Sequence, residues 1–248
     1  MDTNKLIAGM VGVLYIIGTV SGILSVVFSA SLLDASDYLA KIAENDTQMI
    51  IAALCVLTMG LSLALIPIIA FPVLRKQSET LALGYIAFRG ALEMFGYLMT
   101  VLVMLLLVPI SQEYVKASGA DVSGYQSVGT LLEKAPDYIG CVATFVFLIG
   151  AAMFYTVLYQ SKLVPRWLSG WGLVGIVPYL TAAILAMFGV IDSLSTAYGL
   201  LDAPLGIQEM VLAVWLIVKG FNPSALASRS AKADTYRVQM SAARESVS

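Results

Sequence analysis

The chain has 248 residues, of which 59% are apolar and only 12% charged, with a formal net charge of −2 and a mean hydropathy of +0.88. A typical soluble domain is about 45–50% apolar and about 25% charged, and a water-facing fold of this size has no interior large enough to hide the excess. The composition excludes a soluble enzyme and a disordered chain. It predicts an all-α polytopic membrane helix bundle, because a helix satisfies its own backbone in lipid.

A membrane-crossing helix takes about 20 apolar residues. Six segments meet that length: Leu6–Ser29, Met49–Leu74, Leu81–Ile110, Tyr138–Gln160, Leu168–Ile191 and Pro204–Phe221, taken here as spans one to six. The runs are continuous, not alternating with period two, which argues against a β-barrel. The first run is longer than the roughly 7–15 residues of a signal-peptide core, so it reads as a retained helix.

Between spans one and two, Tyr38, Leu39, Ile42 and Ala43 share one helical face, which predicts a short helix on the membrane surface. Between spans three and four, Gln126–Lys134 predicts a second short helix, with Pro136 following its end. The two either cap the outer mouth of the bundle or serve as ordinary connectors. Residues 1–221 form the transmembrane domain, and the polar, Ser/Ala-rich residues 222–248 read as a flexible tail.

Basic residues in the loops set the topology. With six spans, both termini share one side. That side holds ten Lys/Arg: Lys5, Arg75, Lys76, Lys162, Arg166, Lys219, Arg229, Lys232, Arg237 and Arg244. The other side holds Lys41, Lys116 and Lys134 only, and ten of the sixteen acidic residues. Both termini are therefore expected in the cytoplasm.

Three ionisable residues fall inside spans: Arg89, Glu93 and Glu209. A charge at mid-helix costs about 2.5–3.5 kcal/mol on insertion scales, so such residues face the bundle interior. Tyr85, Arg89, Glu93 and Tyr97 recur every four residues and form one polar stripe on span three. Arg before Glu is the weaker order for an isolated helix. The pair is thus better explained by joining helices or holding a ligand. Glu209 lies a turn or two past Pro204, near the outer end of span six, where the positive helix end favours it by roughly 0.3–1 kcal/mol. At that depth, contact with Arg89 is not expected unless span six is shifted or tilted.

Gly18 and Gly22 form a GxxxG on span one, which suits close helix contact. Pro67 and Pro178 lie inside spans and free backbone carbonyls there. Trp167, Trp171 and Tyr159 cluster where spans four and five meet the basic side, as aromatic-belt anchors. Gly90-Ala-Leu-Glu93-Met94 is similar to Gly206-Ile-Gln-Glu209-Met210, yet the glutamates sit at different distances from the predicted starts of their spans. That argues against an inverted-repeat transporter.

There is no histidine, which removes Ser/His and Cys/His catalysis and His-ligated metals. Cys55 and Cys141 are isolated in apolar runs and read as small buried apolar residues. No catalytic set, metal site, cofactor motif or phosphate-binding loop is visible.

Three stretches carry a resemblance: Phe88-Arg89-x3-Glu93; Leu163-Val164-Pro165-Arg166-Trp167-Leu168-Ser169-Gly170-Trp171-Gly172-Leu173; and Gln208-Glu209-Met210 through Lys219-Gly220-Phe221. Together they resemble a bacterial family of small multi-helix membrane proteins, a domain of unknown function, number four-three-eight-six. The resemblance runs from span one to Phe221. It implies a prokaryotic cytoplasmic-membrane protein and singles out Arg89, Glu93, Pro165, Arg166 and Glu209, with Trp167 and Trp171 beside the interface motif. It transfers no activity.

The residues favour a non-enzymatic binding or accessory module organised around the Arg89–Glu93 pair. A transporter or channel using the same charges, and an intramembrane enzyme acting on lipid, are the alternatives. The implied partners are membrane lipids, together with a partner membrane subunit or a small hydrophobic ligand. Nothing points to nucleic acid.

Overall fold

The computed structural model describes residues 3–119 and 121–226. Among these described residues, six helices are long and apolar enough to cross a membrane. They are α1 (Thr3–Leu33), α3 (Asp46–Leu74), the composite α4 (Glu79–Tyr85), π-helical Ile86–Leu92 and α5 (Glu93–Tyr114), then α6 (Asp121–Ser161), α7 (Arg166–Met187) and α8 (Thr196–Val218). A short helix, α2 (Tyr38–Glu44), follows the first span.

The spans pack in chain order, and the sixth returns to the first: α1 on α3, α3 on α5, α5 on α6, α6 on α7, α7 on α8, and α8 on α1. The result is a closed ring with one central axis. The ring closes where α1 begins and α8 ends. Gly220, just past α8, sits beside Lys5 and Ala8 of α1.

Small residues let the helices approach. A Cβ at Gly18 would lie 2.7 Å from Leu63, and one at Gly22 2.7 Å from Met59, so the GxxxG is the seam between α1 and α3. At Gly12 an added Cβ would collide with the backbone carbonyl of Ala213 on α8. On the outside, Ile23, Val27, Leu54, Phe95 and Val174 are each more than half exposed, the pattern of a surface solvated by lipid.

The predicted α2 is present. Asp37 caps it by accepting from the Ala40 N–H at 3.3 Å, and Leu39 and Ile42 are fully buried. It packs against α5 and against Gly129 of α6, where an added Cβ would meet Leu39 at 2.9 Å. It closes a flank of the bundle and lines no part of the central cavity.

Four expectations need correction. Gln126–Lys134 is not a separate helix. It is the first part of α6, which runs unbroken through Pro136. Proline removes one backbone donor there, but Pro136 lines the mouth of the central cavity, a polar place where the freed carbonyl is tolerated. Span six begins at Thr196, not Pro204, because Ser195 caps it by accepting from the Tyr198 N–H at 3.2 Å. Span five stops at Met187, short of Ile191. Gly189, at φ 67°, reverses the chain, and Val190 N–H reaches back to the Leu185 carbonyl at 2.9 Å. The start of the tail is also anchored: Asn222 N–H donates to the Leu163 carbonyl at 2.8 Å, and Ala225 is buried against the core. The rest of the proposed flexible tail, from residue 227, lies outside the described residues.

Cys141 is buried, whereas Cys55 on α3 is only half-buried.

Gly12→Val is expected to push α1 off α8 and destabilise the protein by about 1–3 kcal/mol, the usual range for overpacking. Gly9→Ala, one turn earlier in open space, is expected to hold or slightly raise stability, because Ala is the better helix former by about 1 kcal/mol. Thermal unfolding of both variants in detergent, followed by size-exclusion chromatography, checks the contrast.

Candidate functional site

The polar stripe of span three points into the ring. Arg89 and Glu93 are 3% and 1% exposed. Arg89 Nη1 donates to both Glu93 oxygens, at 2.9 and 3.0 Å. Tyr97 donates its hydroxyl to Glu93 Oε1 at 2.7 Å. Tyr85 faces the other way along the stripe. Its ring stacks on Phe154 with centroids 4.6 Å apart, and its hydroxyl lies 3.4 Å from that of Tyr15.

Glu209 joins the pair. Its Oε1 lies 3.5 Å from Arg89 Nη2. The expectation that it stays apart is overturned by the earlier start of α8: Glu209 is thirteen residues past Thr196, and Glu93 fourteen past Glu79. At about 1.5 Å per residue both carboxylates lie about 20 Å along their helices. The unequal distances of the two glutamates from the starts of their spans, which argued against an inverted repeat, therefore do not hold either. One guanidinium is shared by two carboxylates from two helices.

A wide turn positions the guanidinium. Residues Ile86–Leu92 form a π-helical segment, a feature that recurs at functional sites. A π turn is broader than an α turn and needs room. Gly150 on α6 supplies it on one side, where a Cβ would come within 3.2 Å of the Arg89 nitrogen. Gly90 supplies it on the other, against Pro67 of α3, with its missing Cβ 3.3 Å from the proline ring. Nothing in the periodicity of the sequence signals this turn.

The face of the guanidinium lies over the Phe147 ring, 4.4 Å from its centroid. Its Nε is buried without a hydrogen-bond partner. Below it, toward the start of α1 and the end of α8, Tyr15, Tyr85, Phe154 and Tyr155 are all at most 1% exposed and plug the axis. Above it opens a cavity of about 710 Å³ that reaches from Arg89, Glu93 and Glu209 to a mouth between the end of α1, the early part of α6 and the turn before α8.

The cavity is acidic. Asp34, Glu93, Glu133, Asp137, Asp192, Asp202 and Glu209 line it, against Arg89 and Lys134. Glu209, at 16% side-chain exposure, is the member of the charged trio most open to this space. Beside it stands an aromatic wall that sequence reasoning missed. Phe147 meets Tyr179 at 5.9 Å, and Tyr179 meets Tyr198 edge-on at 6.0 Å. These three residues come from three spans, so no local pattern could reveal them. Gln208 was also missed. It is fully buried, and its amide donates to the Leu168 carbonyl at 3.0 Å, which ties α8 to α7.

The interface motif is elsewhere. Pro165 opens α7, Arg166 lies over the Tyr159 ring at 5.3 Å, Trp167 is 56% exposed and Trp171 is half-buried. None of the four lines the central cavity.

Arg89→Leu is expected to strand Glu93 without a counter-charge and cost about 3–5 kcal/mol, the range for breaking a buried pair. Adding Glu93→Leu is expected to recover part of that loss, since Glu209 can turn to the cavity. Recovery of the monodisperse fraction after heating, compared for the single and double variants, measures the coupling.

No curated protein and no solved structure matches the chain. A family match spans residues 10–220. The six-helix architecture and the buried Arg89–Glu93–Glu209 trio thus describe a member of a group without an assigned activity: the chain belongs to the family described as Domain of unknown function (DUF4386).

Proposed function

We propose that this integral membrane protein is a binding module for a small amphipathic organic cation, held in the central cavity between the aromatic wall and Glu209. The observation that carries the reading is the cavity itself: seven carboxylates to two basic groups, in walls otherwise made of residues such as Leu63, Met104, Phe147 and Leu205. Buried charge of one sign raises the local concentration of the opposite sign. Aromatic faces attract ammonium groups by about 0.5–2 kcal/mol each. Glu93 is saturated by Arg89 and Tyr97, whereas Glu209 makes one longer contact and keeps acceptor capacity. The carboxylates are spread along the cavity, and among the described residues no three of them gather as a metal-binding set. That distribution suits an extended organic ligand. In this reading the basic end of the bundle faces the cytoplasm of a prokaryotic cell, the cavity opens outward, and lipids or a partner membrane subunit surround the ring.

A second reading is transport of the same ligand. One observation favours it: the charged trio lies between a cavity open at one end and an aromatic plug at the other, as in a single access state of a carrier.

The test uses purified full-length protein in detergent and an aromatic quaternary ammonium probe, with its uncharged and sulfonate analogues. The cation is expected to bind at least tenfold more tightly than either analogue. Glu209→Gln is expected to lose about tenfold in affinity at unchanged thermal stability. Equal binding of the three probes, or full affinity in Glu209→Gln, would sink the reading. Potential-driven uptake of the cation into proteoliposomes decides for the carrier, and its absence for the binding module.

A further inference from the structure

A second cleft, of about 550 Å³, lies at the end of the bundle where α7 begins and α8 ends, and it shares no lining residue with the central cavity. Lys162, Arg166 and Lys219 line it, with Leu163, Val164 and Asn222 in the wall. Lys5 stands at its edge, with Cγ 3.8 Å from the position a Cβ on Gly220 would take. No acidic residue lines the cleft, and among the described residues none of these four cations makes an ion pair.

The cleft is built, not a product of loose side chains. Its floor, Leu163 and Val164, is at most 1% exposed. Asn222 ties the two sides together: its backbone N–H donates to the Leu163 carbonyl at 2.8 Å, and its side-chain amide to the Lys162 carbonyl at 3.3 Å. Lys162 is held at φ 59°, a left-handed conformation that a non-glycine residue adopts only when its surroundings fix it. Arg166 is braced on the Tyr159 ring. The first backbone N–H groups of α7 lie at the same place, with no side chain capping them, and add partial positive charge.

Location decides the ligand. The cleft sits between the ends of two membrane spans and beside Trp215 and the exposed Trp167, residues that favour the headgroup level of a bilayer. Three cations that make no ion pair among the described residues, set at that level over an apolar floor, match a phosphate with acyl chains attached. Basic pockets of this kind between spans take anionic headgroups.

We infer that this cleft binds the phosphate of one anionic phospholipid, with Lys162, Arg166 and Lys219 as its cationic contacts. The Pro165-Arg166-Trp167 segment, which the central cavity leaves unused, then acts as one jaw of a lipid clamp. The site does not depend on the ligand class proposed for the cavity.

Native mass spectrometry of the full-length protein, with added phosphatidylglycerol or phosphatidylcholine, tests it. One phosphatidylglycerol is expected to remain bound under conditions that strip phosphatidylcholine. Each basic residue near a membrane surface adds about fivefold to anionic-lipid affinity, so Lys162→Gln/Arg166→Gln/Lys219→Gln is expected to lose about 100-fold. Lys41→Gln/Lys116→Gln, at the opposite end, is expected to lose nothing. Should the triple variant fail to fold, Arg166→Gln alone is expected to lose about fivefold. Retention of phosphatidylglycerol by a folded triple variant, or by Arg166→Gln at full affinity, would overturn the site. Displacement of the lipid by millimolar inorganic phosphate would overturn the lipid assignment in favour of a free anion.

Discussion

The structure depends on a guanidinium in the middle of a hydrocarbon-solvated bundle. A lone Arg89 there would be too costly to keep. Glu93, one helical turn away, offsets most of the charge with two short hydrogen bonds, and Glu209 approaches from α8. The other features around the axis serve this arrangement. Gly150 and Gly90 make room for the π turn that carries Arg89, Phe147 covers its face, and Tyr97 fixes the carboxylate from the far side. Two carboxyl groups face one guanidinium, and the second of them, Glu209, lies on the side of the cavity.

The bundle treats its two ends differently. Toward the start of α1 and the end of α8 the axis is filled by aromatic rings, and the rim carries a basic cleft. Toward the other end the axis is open and its walls are acidic. This polarity has the same sense as the loop charges that orient membrane proteins. The two contrasts share residues: Asp34, Glu133, Asp137, Asp192 and Asp202, counted between the predicted spans, also line the cavity, and Lys162, Arg166 and Lys219 also line the basic cleft.

Much of this was legible in the sequence, and the rest was hidden for physical reasons. Span number and the Arg89–Glu93–Tyr97 stripe follow from hydropathy and a four-residue spacing, both local properties. Glu209 is misplaced by the sequence pattern because Pro204 reads as a helix start. In lipid a helix accommodates proline in its interior, and the polar cap, Ser195, marked the true beginning. Pro136 misled in the same way. The π turn has no periodic signature; its traces are a glycine on its own strand of sequence and a glycine on α6, which become related only when the helices pack. The aromatic wall of Phe147, Tyr179 and Tyr198 is assembled across three spans and lies beyond any local reading.

The ring is sealed by its first and last members, at the tight approach of Gly12 to Ala213. During synthesis the third span thus enters the bilayer long before α8 exists. Arg89 and Glu93, adjacent on one helix, make that segment electrically neutral from the moment of its insertion, with no need of a later neighbour. Glu209 arrives last, together with the closing helix, so the second carboxylate reaches the guanidinium only in a fully assembled molecule.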